Sequence, residues 1–129
     1  MRSRKDRLTH LLKVQRTVEG LHEMRVAAAN AKAAAAEADV EALMRLAASG
    51  KLVDLFPDIY TRRIAAAHGR KAAASEAARL EADALARETL RTSMVARSAG
   101  IARMQEERQA SEKEMLERAT RPIGEDSEP

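Results

Sequence analysis

The sequence predicts an all-α protein, a long antiparallel two-helix coiled-coil hairpin with a disordered acidic C-terminal tail. Charged residues make up 33% of the 129 positions, and alanine is the commonest of the hydrophobic residues, with one Phe, one Tyr and no Trp. This composition is typical of long helices and coiled coils. Because each buried CH₂ contributes only about 0.8 kcal/mol, alanine suits a narrow seam between two helices better than a globular core.

The first helix is predicted over residues 3–48. Ser3 is a suitable N-cap, since its hydroxyl can accept a hydrogen bond from a free backbone N–H. Gly50 favours the left-handed conformation that ends a helix. Apolar residues recur at intervals of three and four with one break, which predicts a seam with a stutter between Leu21 and Val26. The predicted seam comprises Leu11, Val14, Val18, Leu21, Val26, Ala29, Ala33, Ala36, Val40, Leu43 and Ala47.

Residues 49–57 are predicted to form the tip of the hairpin. Pro57 fits the first turn of a helix, where its missing N–H is not needed, and Asp54 is an alternative N-cap. The densest group of bulky apolar residues spans this tip and the start of the next helix: Leu52, Leu55, Phe56, Ile59 and Tyr60. Two interpretations stay open, because these side chains could seal the end of the seam or form an exposed patch that binds another protein.

The second helix is predicted over residues 57–120, which makes residues 1–121 the hairpin and residues 122–129 the disordered tail. Gly69 and Gly100 each cost about 1 kcal/mol relative to alanine, so the sequence leaves open whether the helix is continuous there or bends and frays. A seven-residue repeat predicts the second seam, with Ala77, Ala84, Leu90 and Met104 beside it. It runs through Ile59, Ala66, Ala73, Leu80, Arg87, Met94, Ile101, Arg108 and Met115.

The short link requires the two helices to run back alongside each other. The predicted register places Val40 near Ala66, Leu21 near Leu85 and Leu11 near Val95. At the opposite end from the tip, residues 1–25 carry seven Arg and Lys against three Asp and Glu. Flexible methionines of the second helix come beside this basic segment, which suggests either a binding surface or loose packing of the coiled coil.

Several classes of function are disfavoured by the sequence. A two-helix hairpin has no concave pocket for catalysis, so we expect no enzyme activity, no cofactor and no small-molecule substrate. His10, His22 and His68 are too far apart along the chain to share a metal. Nucleic acid is disfavoured because no aromatic stacking platform accompanies the basic segment. Membrane association is expected only through partners, since the apolar face beside the basic residues is short.

The absence of cysteine is compatible with a reducing compartment. No apolar stretch approaches the length that a signal peptide or a membrane span requires. We therefore expect a cytoplasmic protein, or one held by partners at the cytoplasmic face of the membrane.

The basic opening, the segment LTHLLKVQR at residues 8–16 and the alanine-rich helix after it resemble the FliJ-like stalk proteins of bacterial flagellar export. So do the central break and the longer second helix with its Glu/Arg-rich end. The same architecture occurs in the stalk proteins of type III secretion systems and in the rotor stalk of rotary ATPases. The resemblance covers most of residues 4–118.

The resemblance implies a general chaperone and stalk of the flagellar (type III) export apparatus. Its partners would be the export ATPase hexamer, the export gate protein and export substrates or their chaperones. The tip residues Leu52, Leu55, Phe56, Ile59 and Tyr60 would then meet the gate. The end that contains both termini would meet the ATPase through Arg2, Arg4, Lys5, Arg7, Leu8, Leu11, Arg16, Met94, Ile101 and Met104. A generic coiled-coil scaffold and a basic nucleic-acid-associated coiled coil are the alternatives.

Overall fold

The computed structural model describes residues 2–50 and 54–121, which form two long α-helices and no strand. Helix α1 spans Arg4–Ala48 and has 45 residues. Helix α2 spans Pro57–Thr120 and has 64 residues. The predicted all-α class with two long helices is confirmed. Residues 51–53 of the predicted tip, including Leu52, and the predicted tail at 122–129 lie outside the described residues.

Side-chain capping defines where α1 begins. The Ser3 Oγ accepts a hydrogen bond from the Asp6 backbone N–H at 3.2 Å, and the Ser3 carbonyl accepts one from the Arg7 N–H. Ser3 is therefore the N-cap, as its residue type predicts, and Arg4 is the first helical residue.

The other end of α1 depends on glycine. Gly50 has a φ of +79°, a left-handed conformation that costs glycine little and other residues more. Just before it, the Ser49 N–H donates to the carbonyls of Arg45 and Leu46, and the Ser49 hydroxyl donates to the Leu46 carbonyl at 2.7 Å. The last carbonyls of the helix are thus satisfied without a further turn.

Helix α2 begins at Pro57, so Asp54, in the turn before it, is not the N-cap. The helix is uninterrupted through both Gly69 and Gly100. The continuity of the helix at these two glycines, which the sequence leaves open, is therefore present in the structure. The cost of about 1 kcal/mol per glycine is too small to open a helix that is hydrogen-bonded on both sides.

An ion-pair network lies on the solvent side of α2. The Arg79 guanidinium bonds Glu76 at 2.5 Å and Asp83 at 3.0 Å. Its hydrogen bond and its charge lower the pKa of Glu76 below the ordinary value. A lowered pKa means that any stabilisation is present at neutral pH and is lost as the pH falls through that pKa. All three side chains are exposed, so solvent screens this effect.

The chain divides into two compact units, each containing part of both helices. Unit 1 comprises Met1–Arg16 and Arg91–Pro129, and unit 2 comprises Thr17–Leu90. In unit 1 the Ser3 hydroxyl donates to Glu106 Oε2 at 3.5 Å. In unit 2 the Thr89 hydroxyl donates to Glu19 Oε1 at 3.1 Å, and residues 25–32 line a shallow hollow with residues 74–81. Each unit therefore holds its two helical segments side by side.

The less exposed residues of α1 recur at alternating intervals of four and three residues without a break. We call the face that they form the α1 seam. Its second half, from Val26 to Ala47, lies where the sequence predicts it. Its first half does not, since Leu11, Val14 and Leu21 are exposed and the predicted stutter is absent. The α1 seam comprises Leu8, Leu12, Gln15, Glu19, His22, Val26, Ala29, Ala33, Ala36, Val40, Leu43 and Ala47.

The corresponding face of α2, the α2 seam, lies one residue beyond the predicted repeat for most of its length. Ala67 is 1% exposed whereas Ile59, Leu80, Met94, Ile101 and Met115 are at least 47% exposed, so the predicted repeat is wrong. Arg87 and Arg108 of that repeat are exposed too. The α2 seam comprises Tyr60, Ile64, Ala67, Lys71, Ala74, Ala78, Glu81, Leu85, Glu88, Thr92, Val95, Ala99 and Ala102.

Small side chains explain this choice of face. The most buried residues are Ala67, Ala99, Ala102 and Val40, with Glu88 as the one buried charged residue among those described. Alanine lets two helix backbones approach closely, and close approach increases the dispersion contacts of the backbone and Cβ atoms. The seam leucines Leu8, Leu12, Leu43 and Leu85 are only half-buried, and the described methionines lie exposed on other faces.

Two neighbouring alanines test the position of the α2 seam. Ala67→Glu should lower the free energy of unfolding by about 2–4 kcal/mol, because a charge would enter a packed site. Ala66→Glu, one residue earlier on the predicted repeat, should change it by less than about 0.5 kcal/mol. Urea unfolding followed by circular dichroism measures both. Equal losses in the two variants would contradict the seam described here.

Two glycines give a matched pair of opposite sign. A Cβ built on Gly69 meets no atom within 4 Å, so Gly69→Ala should raise the free energy of unfolding by about 0.5–1 kcal/mol. Gly50→Ala should lower it by about 1 kcal/mol, because the left-handed conformation penalises a Cβ. Thermal unfolding of both variants beside the wild type would show the two opposite shifts in Tm. A destabilised Gly69→Ala protein would show that the position has a packing role.

Candidate protein-binding surfaces

Many bulky apolar residues lie outside the two seams and are exposed. In unit 1 these residues are Leu11, Val14, Met94, Ile101, Met104, Met115 and Leu116. In unit 2 they are Leu21, Met24, Met44, Leu46, Leu55, Phe56, Ile59, Leu80 and Leu90. Isolated exposed apolar residues are ordinary on protein surfaces, so only the groups that cluster are candidates for a function.

One such group forms in unit 1, where a hollow shows which flanks of the two helices adjoin. Arg4 of α1 and Gln105 of α2 line this hollow together with Ala102. Leu11 is two helical turns after Arg4, and Ile101 is one turn before Gln105, so both lie on the flank of this hollow. Val14 and Met94 extend the same flank.

The hydrogen bond between Ser3 and Glu106 sets the level of these residues along unit 1. Leu11 is eight positions after Ser3, and Ser98 is eight positions before Glu106. Ser98 is half-buried and has a small side chain. An antiparallel pairing of the two helices in unit 1 would place Leu11 and Val14 of α1 beside Met94 and Ile101 of α2, with the half-buried Ser98 between them. We call these five residues the terminal groove.

The terminal groove continues along α2 into a second shallow hollow. Ile101, Met104, Gln105 and Arg108 line it, and Met104 is 62% exposed. The apolar surface of unit 1 thus covers about three turns of α2. That length matches the contact face of one amphipathic helix laid across it.

Arginine residues frame the terminal groove. On α1, Arg4 lies two turns before Leu11 and Arg7 lies about one turn before it. On α2, Arg97 lies near Met94 and Arg108 lies near Met104. All four arginines are exposed. The acidic residue bordering this region is Glu106, which lines the hollow of Arg4 and accepts the Ser3 hydroxyl. The surroundings of the groove are therefore positively charged.

Unit 1 contains every residue that the sequence assigns to the ATPase end. Arg2, Arg4, Arg7 and Arg16 are exposed, while Leu8 and Lys5 are half-buried on the seam side. The terminal groove brings together Leu11, Met94 and Ile101 from this prediction. Sequence reasoning missed Val14, Arg97 and Arg108 as surface residues. For Val14 the available signal was its position three residues after Leu11. That spacing predicted a residue of the seam and not a surface residue.

The predicted tip residues separate into two groups. Leu55, Phe56 and Ile59 are 68%, 54% and 47% exposed, and we call them the tip patch. Tyr60 is half-buried and belongs to the α2 seam. Among the described tip residues, therefore, only Tyr60 closes the seam, and the other three form an exposed apolar surface.

A polar layer interrupts the seam in unit 2, and the sequence-based seam did not include it. Glu88 is only 8% exposed, and Thr89 beside it donates to Glu19. His22, one turn after Glu19, has a buried Nδ1 atom without a hydrogen-bond partner. Polar groups at such positions weaken a seam and restrict the registers it can adopt.

Replacing the histidine tests the cost of this layer. His22→Leu should raise the free energy of unfolding by about 1–2 kcal/mol, because it removes an unsatisfied buried atom and adds apolar contact. His10→Leu, at an exposed position of the same helix, is the control and should change little. Denaturant titration followed by circular dichroism measures both. A destabilised His22→Leu protein would show that the imidazole makes a needed contact.

Two further features were sought in the described ranges, 2–50 and 54–121. No three His, Asp or Glu side chains there are arranged to hold a metal ion. No helix in these ranges combines the length and the apolar character that crossing a membrane would require.

Comparisons of the chain with protein-family models, with curated proteins and with solved structures gave no match.

Proposed function

We propose that this chain is an antiparallel coiled-coil hairpin that serves as a non-enzymatic stalk and chaperone in the bacterial flagellar (type III) protein export apparatus. The observation that carries the proposal is the position of the bulky apolar residues. Two groups of them, the tip patch in unit 2 and the terminal groove in unit 1, are exposed, and these are the two places where a stalk would contact its partners.

Contacts within each unit support the antiparallel pairing. In unit 2, Glu19 bonds Thr89, and residues 25–32 adjoin residues 74–81. Rising numbers along α1 thus meet falling numbers along α2. In unit 1 the bond between Ser3 and Glu106 joins the beginning of α1 to the second half of α2. The periodic seams supply the matching faces of a two-helix coiled coil.

The terminal groove is the proposed contact with the export ATPase. Arg2, Arg4, Arg7 and Arg16 are exposed in unit 1 and would attract acidic loops of a pore, which speeds association and orients the partner. Leu11, Met94, Ile101 and Met104 would provide the apolar contact that slows dissociation.

The tip patch is the proposed contact with the export gate, and part of it is aromatic. Phe56 is exposed beside Leu55 and Ile59, and exposed aromatic residues are frequent anchors of protein interfaces. Residues of this kind cost free energy in water, which favours a partner that covers them. In the proposed role the protein is cytoplasmic and reaches the membrane only through the gate.

Separate variants test the two contacts. Changing Arg2, Arg4, Arg7 and Arg16 to alanine should weaken binding to the purified export ATPase at least tenfold and leave gate binding within twofold. The reason is that the arginines act in unit 1 and the tip patch lies in unit 2. Phe56→Ser with Ile59→Ser should have the converse effect. Biolayer interferometry against each partner at fixed salt measures both affinities.

Equal loss of both affinities in either variant would contradict this division of labour. Absence of binding to both partners by the wild-type protein would remove the export role. Concentration-dependent growth into long assemblies would then favour a coiled-coil scaffold. Binding to arbitrary DNA with steep salt dependence would favour a nucleic-acid role.

A further inference from the structure

From the geometry and charge of unit 1 we infer that the terminal groove binds one amphipathic helix of a partner protein, with acidic residues on both sides of its apolar stripe. The inference rests on the surface that the proposed function assigns to ATPase contact, and it specifies the chemistry of the occupant. It applies to the groove whichever protein supplies the helix.

The shape of the surface favours a helix. Leu11 and Val14 border the groove on α1, Met94 and Ile101 border it on α2, and half-buried Ser98 forms the floor. Two parallel ridges with a small residue between them accept the side-chain ridge of a third helix. Met94 and Met104 have flexible side chains, and Ile101 lies between them along α2. The groove can therefore adjust to a leucine, isoleucine or phenylalanine of the partner helix.

The charges define the flanks of the partner helix. Arg4 and Arg7 lie on one side of the groove, and Arg97 and Arg108 lie on the other. A helix with Glu or Asp beside its apolar stripe would place carboxylates against arginines on both sides. A helix with Lys or Arg there would be repelled on both sides.

The same charges disfavour a second copy of this chain as the occupant. Two terminal grooves placed face to face would bring arginines against arginines. Their few apolar side chains would also bury much less than the roughly 800 Å² per partner of a stable protein interface. A membrane surface that carries anionic lipid shares the charge requirement, and the experiment separates it from a helix.

The experiment is a selection of displayed peptides on the full-length protein. The library consists of 18-residue helical peptides with leucine fixed at intervals of three and four. The flanking positions are drawn equally from Glu, Lys and Gln. We expect selected peptides to contain Glu at least fivefold more often than Lys at these positions. We also expect Leu11→Asp with Ile101→Asp to weaken the best peptide at least tenfold.

Leu80→Asp is the matched control, because Leu80 is 55% exposed and belongs to unit 2, not to the terminal groove. It should bind the best peptide within twofold of wild type, and circular dichroism should show unchanged helix content in all variants. Selection of Lys-rich or charge-neutral peptides would overturn the inference, as would equal loss in the control. Absence of any selected peptide would overturn it as well.

Vesicles of phosphatidylserine and phosphatidylcholine provide the second arm. Vesicle binding that depends on Leu11 and Ile101, without enrichment of Glu in the peptide selection, would assign the groove to lipid and overturn the helix inference. No export component enters either arm. Failure to bind the export ATPase would therefore refute the proposed function, while selection of Glu-rich peptides would still support the terminal groove as a helix-binding surface. ATPase binding without selection of Glu-rich peptides would support the proposed function and overturn the helix inference.

Discussion

The close approach of alanine-lined helix faces is the interaction on which the rest of this structure depends. Ala67, Ala99 and Ala102 are among the few residues of the described chain that are nearly removed from water. Each contributes little hydrophobic free energy, so stability comes from many small contacts distributed along two long helices. The large side chains that do belong to the seams, such as Leu12, Leu43 and Leu85, remain half-buried.

The ends of the helices could be derived from the sequence because single residues determine them. Ser3 caps α1, Gly50 takes the left-handed conformation after it, and α2 begins at Pro57. The seam was derived only in part. From Val26 to Ala47 the valine and leucine of the repeat fall on the same face as the alanines, so choosing bulky residues gave the correct face.

Elsewhere bulky and small residues lie on different faces, and the two criteria disagree. Leu11 and Leu21 on α1 and Leu80 and Ile101 on α2 follow a helical repeat as regular as that of the seam, yet all four are exposed. Periodicity alone cannot distinguish a face that packs within the chain from one that waits for a partner. Four of the residues that misled the prediction of the seam, Leu11, Val14, Met94 and Ile101, belong to the terminal groove, which is why that surface was recognised only in part.

Disulfide trapping tests the pairing of the two helices most directly, at positions whose side chains are hydrogen-bonded from one helix to the other. The sequence has no cysteine, so the pairs Ser3→Cys with Glu106→Cys and Glu19→Cys with Thr89→Cys can be tested without background. Both pairs should form cross-links within one chain, independent of protein concentration, whereas Glu19→Cys with exposed Leu80→Cys should not. Cross-links only between chains, or equal trapping of the control pair, would contradict the alanine-lined seam.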